Sequence, residues 1–423
     1  MGDPYDYAAV GAGPANLSLA AQAQARPGLR GVHLERAERF AWHPGLLLPG
    51  ATLQVSCLKD LVTPVDPTSP YTFLAFLHAQ GRFHQFLNAR FRAVHRAEFD
   101  AYLRWVAEQL PTVRFGHEVH AVDFTGGCFA LETRHGTVRA RHVVLGTGQT
   151  PYVPEPFRDA LDDTVFHSGQ FLRHADGLAG KRVAVVGGGQ SGAEVVRHLL
   201  TARARPAELH WITRRPGLPP LDESAFTNDL FLPGAARAFF HLPASEQAAR
   251  LAAQKYAGDG IDDTLLTELY QLLYLATYVE QDAGPVTLLT GHEVTGFTRA
   301  AGGALRLVLK SADATAEAEA DAVVLATGYR QGLPACLRPL LPRIRFRDGL
   351  PRVRADFSLE WDGPAGHRIH VQNGARHAFG IADPQLSLLA WRSRTVLDSI
   401  TGTDSITGTD RTDADRTTAH DHT

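Results

Sequence analysis

A glycine-rich turn near the start of the chain is the first place where residue types and spacing suggest chemistry. Gly11, Gly13 and Asn16 form the pattern G-x-G-x-x-N between the apolar run YAAV and a helix-forming stretch. The first two glycines of such a turn let the backbone approach a pyrophosphate, whose charge the following helix N-terminus favours. Glu35 ends the next apolar run, 22 residues after Gly13, where a carboxylate binds an unphosphorylated ribose 2′-hydroxyl. The pattern predicts a site for FAD or NAD.

A second turn, at Gly187, Gly189 and Gly192, carries the complete G-x-G-x-x-G pattern. The apolar run after it, ELHWIT, ends without a carboxylate, and Arg214 and Arg215 follow directly. A guanidinium pairs with a ribose 2′-phosphate, which a carboxylate would repel. The alternative is a solvated pair of surface arginines. The second site is therefore predicted to bind NADPH and the first to hold FAD, so that hydride passes from NADPH to the flavin.

The elements that position these turns follow the βαβ pattern of a parallel, doubly wound sheet. Two later apolar runs, at 141–148 and 321–329, each end on a small residue, a threonine and a glycine. We expect each run to close one nucleotide domain and to bring its turn beside a cofactor, in the second case with Thr327, Gly328 and Tyr329. The predicted fold class is α/β, with two Rossmann-like doubly wound nucleotide-binding domains.

The segment between the second turn and its closing run is predicted to be a small helical insertion that binds substrate. Within it, residues 246–255 and 264–279 place apolar side chains at helical spacing. The end of the chain repeats SITGTD and has few apolar residues, which is typical of disorder. The predicted organisation is an FAD-binding domain at 1–165 and 330–400, an NADPH-binding domain at 166–215 and 286–329, a helical substrate-binding segment at 216–285, and a disordered tail at 402–423.

Composition argues against several kinds of partner. The chain of 423 residues has 42 basic and 45 acidic residues and a net charge of −3, which gives no electrostatic reason to expect nucleic acid or a membrane surface. No uninterrupted apolar run of about 18 residues is present, so no transmembrane helix is expected. Cys57, Cys128 and Cys336 form no CxxC pair. This argues against a disulfide framework or a metal site and favours a cytoplasmic protein.

Several reactions can follow the reduction of a flavin by NADPH. A disulfide reductase needs a paired dithiol, which the isolated Cys57 does not supply. A Baeyer–Villiger oxygenase carries F-x-G-x-x-x-H between its nucleotide domains, a spacing that the segment from Phe166 to His174 breaks. A hydroxylating monooxygenase needs neither a protein nucleophile nor a metal, because the flavin activates O2. The sequence is consistent with such a monooxygenase, and a non-catalytic flavoprotein that senses NADPH is the alternative of a different class.

Longer motifs resemble one family of such enzymes. FAWHPGLLLPG at 40–50 and LQVSCLKDLVTPVDPTSPYTF at 53–73 are similar to the N-hydroxylating monooxygenases of siderophore biosynthesis, the L-lysine N6-hydroxylases and L-ornithine N5-monooxygenases. The similarity continues in GGGQSGAE at 187–194, LDESAF at 221–226, LATGY at 325–329 and GIADPQLSLLAWRS at 380–393. It implies FAD, NADPH, O2, a hydroperoxyflavin, a small-molecule amine substrate and a cytoplasmic homo-oligomer, either a dimer or a tetramer.

The resemblance also implies roles for individual residues. Lys59 matches a lysine that pairs with the substrate carboxylate, and Gln54 matches a catalytic residue close to the flavin. Asn228 matches a residue at the amino-acid end of the substrate, and Ser387 one near the reactive amine. The alternatives are a surface lysine paired with a neighbour at position 59, and a helix cap or turn residue at position 228. Further cofactor contacts are implied at Trp42, His43, Gln190, Ser191 and Arg214.

One short stretch, Gly258-Asp259-Gly260, bears on the choice of substrate. Together with Ile261 it resembles the Asp-Gly-Ile of lysine-type members, through Asp259 and Ile261. It differs from the Asn-Tyr-Ser of ornithine-type members, whose asparagine faces the substrate amine. The resemblance therefore favours L-lysine, with ornithine and the diamines cadaverine and putrescine as alternatives. A diamine has no carboxylate, so it would leave Lys59 without a partner.

Overall fold

The computed structural model describes residues 3–280 and 284–403, so the predicted disordered tail lies, from residue 404 onward, outside the described residues. The strands of the described residues are, in chain order, β1 Tyr5–Val10, β2 Gly31–Leu34, β3 Val113–Arg114, β4 Val119–Thr125, β5 Cys128–Thr133, β6 Gly136–Leu145, β7 Thr150–Pro151, β8 Val165–His167, β9 Arg182–Val186, β10 Glu208–Thr213, β11 Val286–Thr290, β12 Glu293–Arg299, β13 Leu305–Lys310, β14 Thr315–Ala320, β15 Ala322–Leu325, β16 Tyr329–Arg330, β17 Phe346–Arg347, β18 Leu350–Pro351 and β19 Ile369–Val371.

The helices alternate with the strands in both halves of the chain. The α-helices are α1 Pro14–Ala23, α2 Phe73–Ala79, α3 Phe83–Ala89, α4 Arg96–Gln109, α5 Phe171–His174, α6 Gln190–Thr201, α7 Ala225–Asn228, α8 Pro233–Phe240, α9 Ala244–Ala253, α10 Tyr256–Asp259, α11 Asp263–Tyr278, α12 Arg376–Phe379 and α13 Leu389–Thr401. Short 3-10 helices lie at Pro44–Leu46, Glu155–Phe157, Ser168–Gln170, Ala175–Leu178, Asp229–Phe231, Ala335–Arg343 and Leu386–Leu388.

The first sheet surrounds the long strand β6 and has the order β3-β2-β1-β6-β5-β4, with β19 also paired to β6. The first half of β6 forms an antiparallel hairpin with β5, where Ala140 pairs with Phe129. Its second half is parallel to β1 and β19, and Leu145 pairs with both Val10 and Val371. The parallel strands end at the same edge of the sheet, where ligands of doubly wound folds bind.

The second sheet has the order β11-β10-β9-β15-β8, and its strands run parallel. Alternate side chains of β9 enter different hydrophobic clusters: Val183 and Val185 pack with helix α6, whereas Ala184 and Val186 pack with the antiparallel strands β12 to β14. Both faces of β9 are therefore buried, which explains its continuous apolar run. This sheet and the first confirm the predicted α/β class with parallel strands.

Two chain crossings connect the sheets. Strand β7 follows β6 of the first sheet and pairs antiparallel with β16, which follows β15 of the second sheet. The guanidinium of Arg330 lies 3.7 Å from the centre of the Tyr152 ring, a cation–π contact across this pair. The Thr327 hydroxyl donates a hydrogen bond to the Tyr152 carbonyl oxygen. The turn that closes the second sheet is thereby fastened to the connection between the two units.

Helices α7 to α11 lie between β10 and β11 and form the insertion. Helices α9 and α11 match the helices predicted at 246–255 and 264–279 to within two residues. Asp262 caps α11, because its carboxylate accepts a hydrogen bond from the Leu265 amide at 3.0 Å. Across the described part of the chain, every helix is too short or too polar to cross a membrane.

Candidate functional site

The first glycine turn leaves open space in front of helix α1. Gly11 has a φ of +89°, and a Cβ on it would lie 2.6 Å from the carbonyl oxygen of Gly146 in the closing turn. Only glycine meets both constraints. A Cβ on Gly13 would have no atom within 4 Å. The first glycine thus serves packing between strands, while the second faces a gap at the helix N-terminus that suits a pyrophosphate.

The second turn repeats this arrangement at helix α6. Gly187 has a φ of +137°, and a Cβ on it would lie 2.1 Å from the Ala326 carbonyl oxygen. A Cβ on Gly192 would lie 2.2 Å from the carbonyl oxygen of Gly187, so this glycine brings helix and strand together. Gly189 again faces open space within 4 Å. Both turns therefore fit the predicted dinucleotides by the same geometry.

Asn16 replaces the third glycine of the first turn and acts on the turn itself. Its side-chain amide donates to the carbonyl oxygens of Val10 at 3.1 Å and Gly11 at 2.7 Å. Its Oδ1 accepts from Gln372 at 3.1 Å, and the residue is fully buried. Gln372 in turn accepts from the buried Arg392. Asn16 thus holds the turn against the C-terminal segment, and a direct contact with cofactor stays a prediction.

Glu35 lies where the end of β2 meets the first turn. One carboxylate oxygen accepts from the Ala12 amide at 2.8 Å and the other from the Ala37 amide at 2.9 Å. These bonds hold the carboxylate beside the glycine turn, at the end of the strand next to β1. The position suits the predicted contact with a ribose hydroxyl.

The two arginines after β10 differ in what they contact. Arg215 donates to the carbonyl oxygens of Gly188 and Asp259, both at 3.0 Å, and so supports the second turn from within the protein. Arg214 is exposed, and its closest anionic group, the Glu293 carboxylate, lies 3.9 Å away. A loosely paired, exposed guanidinium can move to a ligand phosphate. Arg214 therefore suits the predicted 2′-phosphate contact better than Arg215.

Gln190 and Ser191 form the first turn of α6, directly after Gly189. The Gln190 side chain is already engaged within the protein: it donates to Glu194 at 2.8 Å and accepts from the Asp262 amide at 2.9 Å. Ser191 is partly buried at the mouth of the turn. A cofactor contact therefore suits the hydroxyl of Ser191 better than the amide of Gln190.

The predicted aromatic pair Trp42 and His43 lies beside the turn that closes the second sheet. The rings of Trp42 and His43 lie 5.3 Å apart, and the His43 ring lies 6.3 Å from that of Tyr329. His43 has a φ of 47°, an uncommon left-handed backbone for a histidine. The His167 Nε2 lies 2.9 Å from the Gly328 carbonyl oxygen and fixes the turn. Trp42, His43 and the Thr327–Tyr329 turn are thus brought to the junction of the two units.

Two predicted site residues carry buried polar atoms that have no partner among the described residues. These atoms are the side-chain nitrogen of Gln54 and the hydroxyl of Ser387. An unpaired buried polar group costs free energy, and such groups cluster where a ligand completes the hydrogen bonding. Both positions therefore fit a site that a flavin or an amine substrate completes.

Lys59 is partly buried, and its ammonium has no anionic or hydrogen-bonding partner within the described ranges. Burial lowers the pKa of Lys59. The neighbouring Asp60, which is 1% exposed, fixes the loop by accepting bonds from the amides of Val62, Thr63 and Phe73. No motif in the sequence indicated this anchoring role of Asp60. A carboxylate ligand would supply the missing partner of Lys59.

Asn228 is exposed at the end of the four-residue helix α7, where its side chain donates to the Glu223 carbonyl oxygen at 3.2 Å. The Gly258-Asp259-Gly260 stretch lies closer to other predicted site residues. Its Asp259 carbonyl accepts from Arg215, and a Cβ on Gly258 would lie 3.8 Å from Gln385, two residues before Ser387. The insertion therefore reaches the C-terminal segment that carries Ser387.

Comparison with known proteins places the chain in a family. The family model L-lysine 6-monooxygenase/L-ornithine 5-monooxygenase matches residues 3–331. The L-lysine N6-monooxygenase of Escherichia coli is 38% identical over 94% of this chain and 94% of its own length. The putrescine N-hydroxylase of Shewanella oneidensis is 31% identical over 94% of this chain and 81% of its own length.

Solved structures of similar proteins support the same family. The FAD-bound cadaverine monooxygenase of desferrioxamine biosynthesis from Erwinia amylovora has a TM-score of 0.88 at 31% identity, covering 95% of both chains. The ornithine N-hydroxylase from Kutzneria sp. 744, with reduced FAD, NADP+ and L-ornithine, has a TM-score of 0.88 at 31% identity, covering 95% of this chain and 100% of its own. FAD in both structures and NADP+ in the second are the cofactors that the glycine turns predict, and the alternative of a non-catalytic sensor is set aside. The chain belongs to the L-lysine 6-monooxygenase/L-ornithine 5-monooxygenase family of flavin-dependent N-hydroxylating enzymes.

Proposed function

We propose that this enzyme hydroxylates the side-chain amine of free L-lysine with FAD, NADPH and O2. The observation that carries the choice of an amino acid is Lys59, a partly buried ammonium without an anionic partner in the described chain. A carboxylate is the group that would stabilise the charged form of this side chain. The 38% identity to a lysine N6-monooxygenase supports lysine over other amino acids.

The two glycine turns would bind the cofactors, and the loop of Lys59 would bind the substrate. We assign FAD to residues 1–165 and 330–400 and NADPH to 166–215 and 286–329. Substrate contacts would come from 216–285 and also from Lys59 and Ser387. Bound FAD, once reduced by NADPH, supplies the activation of O2. Gln54 and Ser387 would complete their hydrogen bonds with the flavin and the substrate amine.

A diamine is the second candidate substrate. Two relatives that are 31% identical act on putrescine and on cadaverine, as their names state. A diamine would satisfy Gln54 and Ser387 equally well but would place its second amine, which is charged at neutral pH, near Lys59. Like charges at close range repel, so the unpaired Lys59 favours lysine or ornithine.

The test is amine-dependent formation of hydroxylamine by the purified, FAD-loaded enzyme. Lysine, ornithine, cadaverine and putrescine would each be supplied with NADPH and O2, and the N-hydroxylated product would be identified by mass spectrometry. Product from lysine at the highest kcat/KM supports the proposal. Product from diamines alone would keep the reaction and overturn the substrate. NADPH oxidation that yields only hydrogen peroxide with every amine would overturn the whole amine class.

We also propose a cytoplasmic homo-oligomer, a dimer or tetramer, in siderophore biosynthesis. Helix α11 supports self-association, because Tyr270, Tyr274 and Tyr278 lie at helical spacing along one face and are 76%, 54% and 74% exposed. Two relatives are named for siderophore or alcaligin biosynthesis, which supports the pathway class. Sedimentation of the holoenzyme measures the assembly state.

A further inference from the structure

A buried ion pair joins the two nucleotide-binding units. Arg96, the first residue of α4, donates through both terminal nitrogens to the carboxylate of Glu194 in α6, at 2.7 and 2.8 Å. The side chains are only 15% and 2% exposed. Helix α4 packs with α1 of the first unit, and α6 begins at the second glycine turn. The contact therefore crosses from one cofactor unit to the other.

Helix stability does not explain the position of Arg96. A cation at the first residue of a helix is disfavoured by the helix dipole, and burying two charges carries a desolvation cost that a pair seldom more than offsets. The position of Arg96 instead lets its backbone amide join the start of α4 to the loop that leads to Gln54. Its amide donates to the Ala51 carbonyl oxygen at 2.9 Å, and the Leu53 amide donates to Val94 at 2.8 Å.

Glu194 extends the contact to the insertion. Its Oε1 also accepts from Gln190, whose own side-chain oxygen accepts from the Asp262 amide at the start of α11. A continuous hydrogen-bonded chain thus runs from the loop before Gln54, through the first turn of α6, to the substrate-binding insertion. Burial raises the pKa of Tyr329, in the turn that closes the second sheet, and the positive charge of Arg96 opposes that shift.

We propose that the Arg96–Glu194 pair is a positioning element that sets the orientation of the NADPH-binding unit on the FAD-binding unit. This deepens the proposed function and rests on it. With both cofactors bound, the reductive step would pass a hydride, two electrons with one proton, from NADPH to the flavin, which would give NADP+ and reduced flavin. Such a transfer depends steeply on alignment, and small misplacements slow positioned reactions by up to about a hundredfold.

Three variants distinguish an effect on the orientation of the two units from an effect on the stability of the fold. Arg96→Met leaves Glu194 as a buried charge held only by Gln190, which can destabilise the fold. The double variant Arg96→Met with Glu194→Met removes both charges and keeps similar volumes, so it is expected to fold. Arg96→Lys keeps a charge but cannot form the two parallel bonds. Arg250→Met is the matched control, because Arg250 bonds Glu246 on an exposed surface.

The first measurement needs no turnover. Hydrogen–deuterium exchange of the FAD-loaded enzyme without NADPH should be faster at residues 51–54 and in the first turn of α6 in the double variant, and unchanged in Arg250→Met. Equal exchange in wild type and the double variant would overturn the proposal, because the two units would then be held together without the pair.

The second measurement is anaerobic flavin reduction in a rapid-mixing instrument. At saturating NADPH the double variant should reduce flavin about tenfold to a hundredfold more slowly than wild type, with Arg96→Lys between them. Reduction by dithionite, which needs no docked nucleotide, should be unchanged. A wild-type rate with NADPH in the double variant would refute the inference. Failure of the proposed function shows separately, as wild-type enzyme that reduces flavin with NADPH but hydroxylates no amine.

Discussion

Lys59→Met is the substitution that most directly tests how the substrate is recognised. It keeps the aliphatic stem and removes the ammonium that has no partner among the described residues. If that ammonium pairs with the substrate carboxylate, the variant should lose affinity for lysine while FAD content and the rate of flavin reduction stay at wild-type values. A loss of FAD would assign the side chain to the fold instead.

The expected size of the effect follows from the burial of Lys59. A hydrogen bond between charged groups contributes about 1.5–3 kcal/mol. Because the side chain is only partly buried, solvent screens the pair, which places the contribution at the lower end, about 1.5–2 kcal/mol. This corresponds to an increase in KM for lysine of about 10- to 30-fold, with a smaller effect on kcat.

The assay compares wild type and Lys59→Met on two substrates, one with and one without a carboxylate. KM and kcat for lysine and for cadaverine, which lacks the carboxylate, are measured by hydroxylamine formation with wild type and Lys59→Met. Lys310→Met, at an exposed lysine of strand β13, is the control. The KM for lysine should rise in Lys59→Met alone, and cadaverine should be unaffected or improved. An equal rise for both substrates would refute a carboxylate contact at Lys59.

Three further predictions concern the cofactor turns and pH. Arg214→Ala should raise the KM for NADPH but leave that for NADH unchanged; an unaltered NADPH preference in steady-state assays would point to another phosphate contact. Gly189→Ala, whose Cβ meets open space, should fold and retain FAD but bind NADPH weakly, whereas Gly187→Ala, at a φ of +137° with a backbone clash, should lower the thermal unfolding temperature. The value of kcat should rise with pH toward about pH 10, because the substrate amine, which has a pKa of about 10.4, must be neutral to react. Affinity for lysine should fall on the alkaline side, because burial lowers the pKa of Lys59 and its positive charge is therefore lost at a lower pH. Flat profiles of kcat and kcat/KM would contradict both ionisations.

The two cofactor turns could be predicted because local spacing alone determines them. Gly11 and Gly187 adopt the positive φ angles that a tight glycine turn needs, the predicted run at 141–148 overlaps strand β6, and the run at 321–329 contains strand β15. The predicted helices of the insertion were also found, since apolar residues at helical spacing persist for several turns in α11.

The contacts that the sequence did not predict join residues far apart in the chain. Arg96 and Glu194 are separated by 98 positions, and Asn16 and Gln372 by 356. No local periodicity reports such pairs, because their partners are chosen by the packing of whole units. The same holds for the two adjacent arginines. Only the tertiary structure shows that Arg215 is bound to backbone carbonyls while Arg214 is exposed.

The third position of each glycine turn explains why two similar turns can serve cofactors that behave differently. In the second turn Gly192 only allows helix and strand to approach. In the first turn Asn16 bonds the turn and reaches, through Gln372, the fully buried Arg392, which pairs with Asp383 at 3.2 Å. Opening the first turn would expose this buried network and leave charged groups unpaired, which is costly. Arg215 and Trp211 bond backbone carbonyl oxygens of the second turn, but its third position has no side chain that could tie the turn to a buried network. A first turn tied in that way suits a flavin that stays bound, and the second suits a nucleotide that must leave after each cycle.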